Sequence, residues 1–246
     1  MIKVVGVIPA RYESTRLPRK LLRDICGKPL LQWTYEAAAK AKLLDKLIIA
    51  CDDEKIMAAC RSFGADCVMT ALEHKSGTDR IAEAVASLDA CIVINIQADE
   101  PLIDPAVIDS LAETMLADPR LVMVTVKRRI IDEAEINNPN VVKVVCDKDG
   151  YALYFSRYAI PYRRDAGASA AYFKHLGIYA YTKDFLYVFK KLAVSSLENA
   201  EKLEQLRVLE AGYKIRLIET MVDTVGVDTA DDLEKVGAIL ERTIKR

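Results

Sequence analysis

The chain opens with Val4-Val5-Gly6-Val7-Ile8-Pro9-Ala10-Arg11-Tyr12-Glu13-Ser14-Thr15-Arg16-Leu17-Pro18-Arg19-Lys20. Val4 to Ile8 is a short β-branched run closed by proline, the pattern of a buried strand. After it comes a loop with Arg11, Arg16, Arg19 and Lys20, and with Ser14 and Thr15 as hydroxyl donors. Open α/β sheets place phosphate ligands at the carboxyl end of such a strand. The first 28 residues hold Lys3, Arg11, Arg16, Arg19, Lys20, Arg23 and Lys28 against only Glu13 and Asp24, while the whole chain has a formal net charge of -1. The positive excess is therefore local. That suits a small polyanion and argues against long nucleic acid. A solvated basic loop has the same composition, so the choice rests on what surrounds it.

Working outward, strands and helices alternate. Pro29 to Ala41 has helical spacing, with Leu30, Leu31, Trp33, Thr34 and Ala37 on the apolar face. Lys46 to Ala50 reads as a second strand. Asp53 is placed to cap a helix running to Phe63, and Gly64 sits where a C-terminal glycine belongs. Cys67 to Met69 is strand-like, Thr78 to Leu88 helical, and Cys91 to Ile96 a central strand. This order predicts a parallel sheet with helices on both faces. A helix follows Pro105 to about Ala117, and then the pattern changes. Val122–Arg128, Val141–Cys146, Ala152–Phe155 and His175–Tyr181 are strand-like, with a hairpin-type turn at Asp147-Lys148-Asp149-Gly150. Residues 119–197 therefore predict a β-rich insert lobe on a core made of 1–118 plus 198–246. Arg163 to Ala171 reads as a mobile loop. Leu197 to Ala211 predicts one helix stopped by Gly212, before a strand at Ile215–Glu219 and a last helix from about Ala230.

The 246 residues, 52% of them apolar, suffice for one large domain or two small ones, and the 29% charged fraction is that of a soluble protein. No apolar run is long enough to cross a bilayer. Met1-Ile2-Lys3 leads straight into the first strand, so no signal peptide is expected. Cys26, Cys51, Cys60, Cys67, Cys91 and Cys146 form no C-x-x-C pair, and His74 and His175 lie far from metal-ligand spacing. Zinc is not expected; the cysteines read as small buried hydrophobes in a reducing cytoplasm.

Two carboxylates stand out. Asp99 in Gln97-Ala98-Asp99-Glu100-Pro101 follows the central strand, and Asp228 in Gly226-Val227-Asp228-Thr229 precedes the last helix. Asp99 either ends a strand or holds a hard cation; Asp228 or Thr229 either caps the helix or joins the same cation. With the cationic loop, two carboxylates point to Mg²⁺-assisted phosphoryl or nucleotidyl chemistry. His74-Lys75-Ser76-Gly77-Thr78-Asp79-Arg80 is a turn and helix start able to receive an oxygen-rich ligand. In Lys174-His175-Leu176-Gly177-Ile178-Tyr179, the strand period puts His175, Gly177 and Tyr179 on one face, as core residues or around a ligand. Glu204 and Gln205, about 100° apart on a helix, either flank a polar pocket or are solvated. No G-x-x-x-x-G-K-[ST], G-x-G-x-x-G or G-x-S-x-G occurs, which excludes a P-loop NTPase and disfavours a Rossmann dehydrogenase and an α/β-hydrolase.

In this order the segments PARYESTRLPRKLL (9–22), HKSGTDR (74–80), QADEP (97–101), VKVV with YALYFSR and IP (142–161), KHLGIYAY (174–181), LEQLRVLE (203–210) and GVDTADDLE (226–234) resemble the 3-deoxy-manno-octulosonate cytidylyltransferases, or CMP-KDO synthetases. One departure is Ala98, where that family usually has glycine, which would permit positive φ or close approach of the nucleotide. The resemblance implies an α/β fold: a three-layer, nucleotide-diphospho-sugar-transferase-like (Rossmann-like), mostly parallel sheet with the β-rich insert lobe. It implies CTP + 3-deoxy-D-manno-octulosonate (KDO) → CMP-KDO + diphosphate, a step of lipopolysaccharide biosynthesis. Arg11, Arg16 and Lys20 would line the triphosphate, and the same three would act in catalysis. Ser14, Ser76, Arg80 and Gln97 would hold the cytidine, Asp99 and Asp228 would bind Mg²⁺, and Arg157, His175, Tyr179, Glu204 and Gln205 would line the sugar-acid pocket. It further implies a cytoplasmic homodimer joined through the insert. The nearest rival is a nucleotidyltransferase for another acid sugar, such as a sialic acid. The rival of another class, a non-catalytic nucleotide-binding protein, would be expected to lack Lys20, Asp99 or Asp228.

Overall fold

The computed structural model describes residues 2–165 and 171–244, so most of the loop predicted at Arg163–Ala171 lies outside the described residues. The chain forms two compact units, Met1–Glu113 with Thr224–Arg246, and Thr114–Asp223.

In the first unit, β1 (Ile2–Ala10) takes parallel partners on both edges. On one side lie β4 (Lys46–Cys51) and then β5 (Cys67–Met69); on the other lies β6 (Ala90–Asn95). Val4, Val5, Val7 and Ile8 are all buried, each contributing about 1.5–3 kcal/mol of burial. The strand reads as a continuous apolar run because both of its faces are covered. A Cβ at Gly6 would lie 2.9 Å from the δ-methyls of Leu44 and Leu47, so those side chains would have to shift to admit one. β2 (Asp24–Ile25) and β3 (Lys28–Pro29) make a small hairpin before α1 (Leu30–Ala38). α2 (Glu54–Ser62) starts at Asp53, whose carboxylate accepts from Lys55 N, and ends before Gly64 with φ 75°. α3 (Gly77–Ala84) is capped by Ser76, α4 spans Pro105–Ala117, and α8 (Ala230–Ile244) closes the chain.

In the second unit β7 (Met123–Arg129) pairs antiparallel with β10 (Phe173–Thr182) and parallel with β11 (Arg216–Thr220). β10 also bridges to β8 (Lys143–Cys146), which forms a hairpin with β9 (Ala152–Ser156). The turn between them is the predicted one: Gly150 N donates to Asp147 O, with φ 77° at Gly150. α5 is Lys183–Lys191.

Three expectations are corrected. The second unit extends beyond 119–197 and takes in 198–223, because β11 is a parallel partner of β7 and so belongs to the same sheet region. The single helix expected over 197–211 is two, α6 (Ser196–Glu201) and α7 (Leu206–Glu210), separated where Lys202 turns left-handed at φ 55°. Glu204 and Gln205 therefore lie in and just after the break rather than on one helical face. Helical spacing of the apolar residues carries no record of one left-handed residue. Finally, Cys26 and Cys91 are exposed, since one sits in the hairpin turn and the other on the outward phase of β6; only Cys51 and Cys60 are buried.

Lys202 carries a left-handed backbone with a Cβ, which costs about 1 kcal/mol relative to glycine. Urea unfolding should show Lys202→Gly stabilised by about 0.5–1 kcal/mol and Lys202→Val destabilised by more than that. Stabilisation by valine would contradict the break.

Candidate active site

The loop after β1 returns to the sheet through a one-turn helix at Lys20–Leu22, entered by Arg19 at φ 55°. Lys20 emerges with its side chain 11% exposed. Its Nζ donates to Asp99 Oδ2 at 2.6 Å and to Asp228 Oδ1 at 3.1 Å. Arg16 Nη2 reaches the same Asp228 oxygen at 2.9 Å. Three distant stretches thus converge on one ammonium. Val227 N donates to Asp99 O at 2.9 Å, which ties the two carboxylate-bearing loops together through the main chain. Thr229 and Asp232 satisfy the start of α8: Thr229 Oγ1 accepts from Asp232 N, and Asp232 Oδ2 accepts from the N–H groups of Asp228 and Thr229. Capping is therefore done by Thr229, and the Asp228 carboxylate is free for the cluster.

Beside the cluster, Glu100 is buried with Oε2 unpartnered. Burial, then the charge of Asp99, pushes its carboxyl up to about 8. Ala98 is buried and does not have positive φ; its carbonyl accepts from Thr34 Oγ1 at 2.9 Å. The backbone here needs no glycine for its torsion.

The other predicted residues of this unit divide. Arg11 is exposed and Ser14 half-buried on the loop. Ser76 caps α3, its Oγ accepting from Asp79 N and donating to Asp79 Oδ2. Gly77 packs on Pro9, where a Cβ would lie 3.3 Å from the ring, so this turn abuts the end of β1. Arg80 is buried, its guanidinium donating to Asp52 Oδ2 at 2.9 Å and Thr70 Oγ1 at 2.6 Å. Gln97 Nε2 donates to Asn95 Oδ1 at 3.3 Å. Sequence reasoning missed Asp52. It also accepts from Tyr12 N at 2.8 Å, joining the cationic loop to α3. The signal was Cys51-Asp52-Asp53 at a strand end, read only for its helix cap.

In the second unit His175 and Tyr179 share a face of β10, ring centroids 5.3 Å apart, around a bulge between Leu176 and Tyr179. Thr125 fills the bulge. Its hydroxyl has one proton, donated to Ile178 O at 2.7 Å. It must then accept from His175 Nε2 at 3.0 Å. This network assigns the proton to Nε2 and leaves Nδ1 as an acceptor. Phe155 packs edge-on against the imidazole, and burial pushes His175 down to about 3. Burial likewise holds the Tyr179 phenol well above its usual value, aided by Tyr181 and the Glu204 charge. Gln205 is buried, and among the described residues its Nε2 has no partner. A neutral acceptor beside a phenol, as His175 and Tyr179 provide, suits a hydroxyl-rich ligand. Arg157 donates through Nε to Glu201 O and through Nη1 to Pro139 O.

Two carboxylates that close on one ammonium are also able to close on one metal ion, and their hard oxygens fit Mg²⁺ completed by phosphate and water. A model for cytidylyltransferases matches residues 5–215. The chain belongs to this family. It is 51% identical over 242 residues to the 3-deoxy-manno-octulosonate cytidylyltransferase of Solibacter usitatus (strain Ellin6076), covering 98% of this chain and 96% of that one. It is 48% identical to the enzyme of the same name from Geobacter metallireducens, covering 98% and 99%. A solved CMP:2-keto-3-deoxy-manno-octonic acid synthetase complexed with CTP superposes with TM-score 0.94 at 45% identity, covering 98% of this chain and 99% of that one. The fold is thus the expected α/β cytidylyltransferase fold with a mostly parallel sheet.

His175 makes a testable contribution to stability. Its folded value lies below the ordinary 6.5, so the unfolded chain binds the proton first. The associated stability is complete above about pH 6.5 and is lost as pH falls towards 3. Denaturation free energies at pH 7, 5.5 and 4.5 should fall less steeply for His175→Gln than for the parent chain. Equal slopes would mean that the imidazole is not held neutral.

Proposed function

We propose that this chain transfers a cytidylyl group from CTP to KDO, giving CMP-KDO and diphosphate for lipopolysaccharide biosynthesis. The observation that carries the reading is the convergence of Arg16, Lys20, Asp99 and Asp228 at the carboxyl ends of parallel strands. The relatives' names and the CTP complex of the solved synthetase agree with it. Arg11, Arg16 and Lys20 line the triphosphate, and Ser14, Ser76, Arg80 and Gln97 serve the cytidine. Arg80, already tied to Asp52, acts by shaping that pocket as much as by contact. In the second unit Arg157, His175, Tyr179, Glu204 and Gln205 take the acid sugar.

The sugar's anomeric hydroxyl attacks the α-phosphorus in line; a C–O–P bond forms, the bond to diphosphate breaks, and the hydroxyl proton leaves to solvent. Lys20 offsets charge that moves towards the leaving diphosphate, and Arg16 orients the phosphates. Mg²⁺, held by Asp99 and Asp228, supplies charge neutralisation at the phosphates when bound. Catalysis is positional and electrostatic, with no covalent enzyme intermediate. We further propose that the enzyme works as a cytoplasmic homodimer joined through the β-rich unit. No helix among the described residues is long and apolar enough to cross a membrane.

The direct test is diphosphate release with CTP, Mg²⁺ and a panel of acid sugars. KDO should support turnover; release only with a sialic acid would favour the rival substrate. Lys20→Met should lower kcat by about 10²–10³-fold with little change in the KM for CTP, because its interaction grows in the transition state. Lys28→Met is the control, since Lys28 pairs instead with Glu36 at 2.7 Å. An effect on KM alone would remove Lys20 from catalysis. Asp99→Asn and Asp228→Asn should each cut turnover by about 10²-fold or more. Near-normal rates at saturating Mg²⁺ would contradict a shared cation site.

A further inference from the structure

Lys143 is fully buried, yet among the described residues its hydrogen-bonding partners include no carboxylate. Its three ammonium protons go to main-chain carbonyls: Asn138 O at 2.8 Å, Val141 O at 2.6 Å and Arg157 O at 2.6 Å. Glu201, at the end of α6, approaches Arg157 from its other end. Glu201 Oε2 accepts from Arg157 N at 2.9 Å, and its carbonyl accepts from Arg157 Nε at 2.7 Å. Its second carboxylate oxygen is fixed by Ser156 Oγ at 2.7 Å. The loop that Lys143 gathers supplies one more tether, Pro139 O, which accepts from Arg157 Nη1 at 2.9 Å.

Arg157 is thus held at its amide, its carbonyl, Nε and Nη1. Among the described residues, Nη2 takes no hydrogen bond. Burying an ammonium is expensive, and a neutral residue of similar size would stabilise a hairpin end as well. The cost is explained if the geometry of Arg157 matters more than the stability of the hairpin. A free arginine loses up to about 2 kcal/mol of side-chain entropy when a ligand fixes it. Here most of that loss is incurred on folding. The guanidinium is presented ready-made, with one amino group left for an anion.

We propose that Lys143 and Glu201 are positioning residues, a clamp that pre-sets the Arg157 guanidinium for the carboxylate of the acid sugar. The inference rests on the reading that Arg157 takes that carboxylate. Neither residue touches substrate; both act through Arg157. The left-handed Lys202 belongs to the same device, because it stops α6 directly after Glu201.

The test is steady-state kinetics of diphosphate release, varying KDO and CTP separately, for the parent chain, Arg157→Ala, Lys143→Met, Glu201→Gln and the two doubles with Arg157→Ala. Arg157→Ala should raise the KM for KDO by about tenfold or more. Lys143→Met and Glu201→Gln should each raise it by about five- to tenfold and leave the KM for CTP within about twofold. In the Arg157→Ala background each should add less than about twofold, because there is no guanidinium left to position. Thermal melts accompany every variant. Should Lys143→Met fail to fold, the near-isosteric Glu201→Gln carries the test. Penalties on the KM for KDO that are the same with and without Arg157 would reduce the clamp to scaffolding and overturn the proposal. So would single variants with an unchanged KM for KDO while Arg157→Ala raises it; that result leaves the role of Arg157 standing. If Arg157→Ala itself leaves KDO binding unchanged, the reading of Arg157 fails and the clamp with it. Absence of KDO-dependent release from the parent chain would instead refute the proposed function.

Discussion

The first unit depends on one ammonium. Lys20 is claimed by two carboxylates that lie 79 and 208 residues further along the chain. The three stretches that meet there are the loop after the first strand, the loop after the central strand and the entry to the last helix. Each is fixed for its own local reason: proline and a left-handed Arg19 before Lys20, the end of β6 before Asp99, and the Thr229–Asp232 cap after Asp228. Local rules bring the charges to one place, and the charges then hold the ends of the chain together. A side chain that is nine-tenths covered screens poorly from its partners, so this interaction is worth more than a surface ion pair.

The second unit follows a different logic. Two of its candidate site residues are held neutral by burial. His175 is held as an imidazole with Nε2 committed to Thr125, Tyr179 is held as a phenol, and Gln205 Nε2 is buried with no partner among the described residues. An orphaned buried donor costs about 1–3 kcal/mol. A chain retains such a group where a ligand supplies the missing acceptor. The arginine of this unit is tethered at four points instead of being left to find its anion. On the proposed reading, fixed neutral dipoles and one preset cation would discriminate a polyhydroxy acid by shape and donor pattern, which diffuse positive charge does not.

What was legible in the sequence follows from range. Strands such as Cys67–Met69 and helices such as Pro105–Ala117 were readable because periodicity and capping act over a few residues. Lys20, Asp99 and Asp228 were legible individually, as charged residues just past strand ends or before a helix. The two acids were also legible as partners of one cation; their direct pairing with Lys20 is tertiary. The break at Lys202 was not readable, because a lysine in left-handed conformation leaves no trace in an apolar pattern that continues through Leu203 and Leu206. Asp52, Thr125, Lys143 and Glu201 were also missed. Their roles lie in which groups they join, and nothing in their local spacing distinguishes them from a strand-end aspartate, a strand threonine, a strand lysine or a helix-surface glutamate.

The charge arithmetic of the cluster bears on its proposed role in holding a triphosphate. A loop built only to attract an anion gains from Arg11, Arg16 and Lys20 and is weakened by any carboxylate beside them. Asp99 and Asp228 lie 2.6 and 3.1 Å from Lys20 and would face the same phosphates that it serves. Unscreened, two such charges within a few ångströms of a phosphate cost several kcal/mol at an effective dielectric of about 20. A binding loop has no reason to carry that repulsion. A divalent cation held by Asp99 and Asp228 would reverse its sign, and the two acids would then favour the nucleotide. The pairing with Lys20 keeps both carboxylates close together, where they can be shared between an ammonium and a metal ion. On the proposed reading, the same two acids that would weaken a site for a bare anion would suit it to an anion that arrives with its metal.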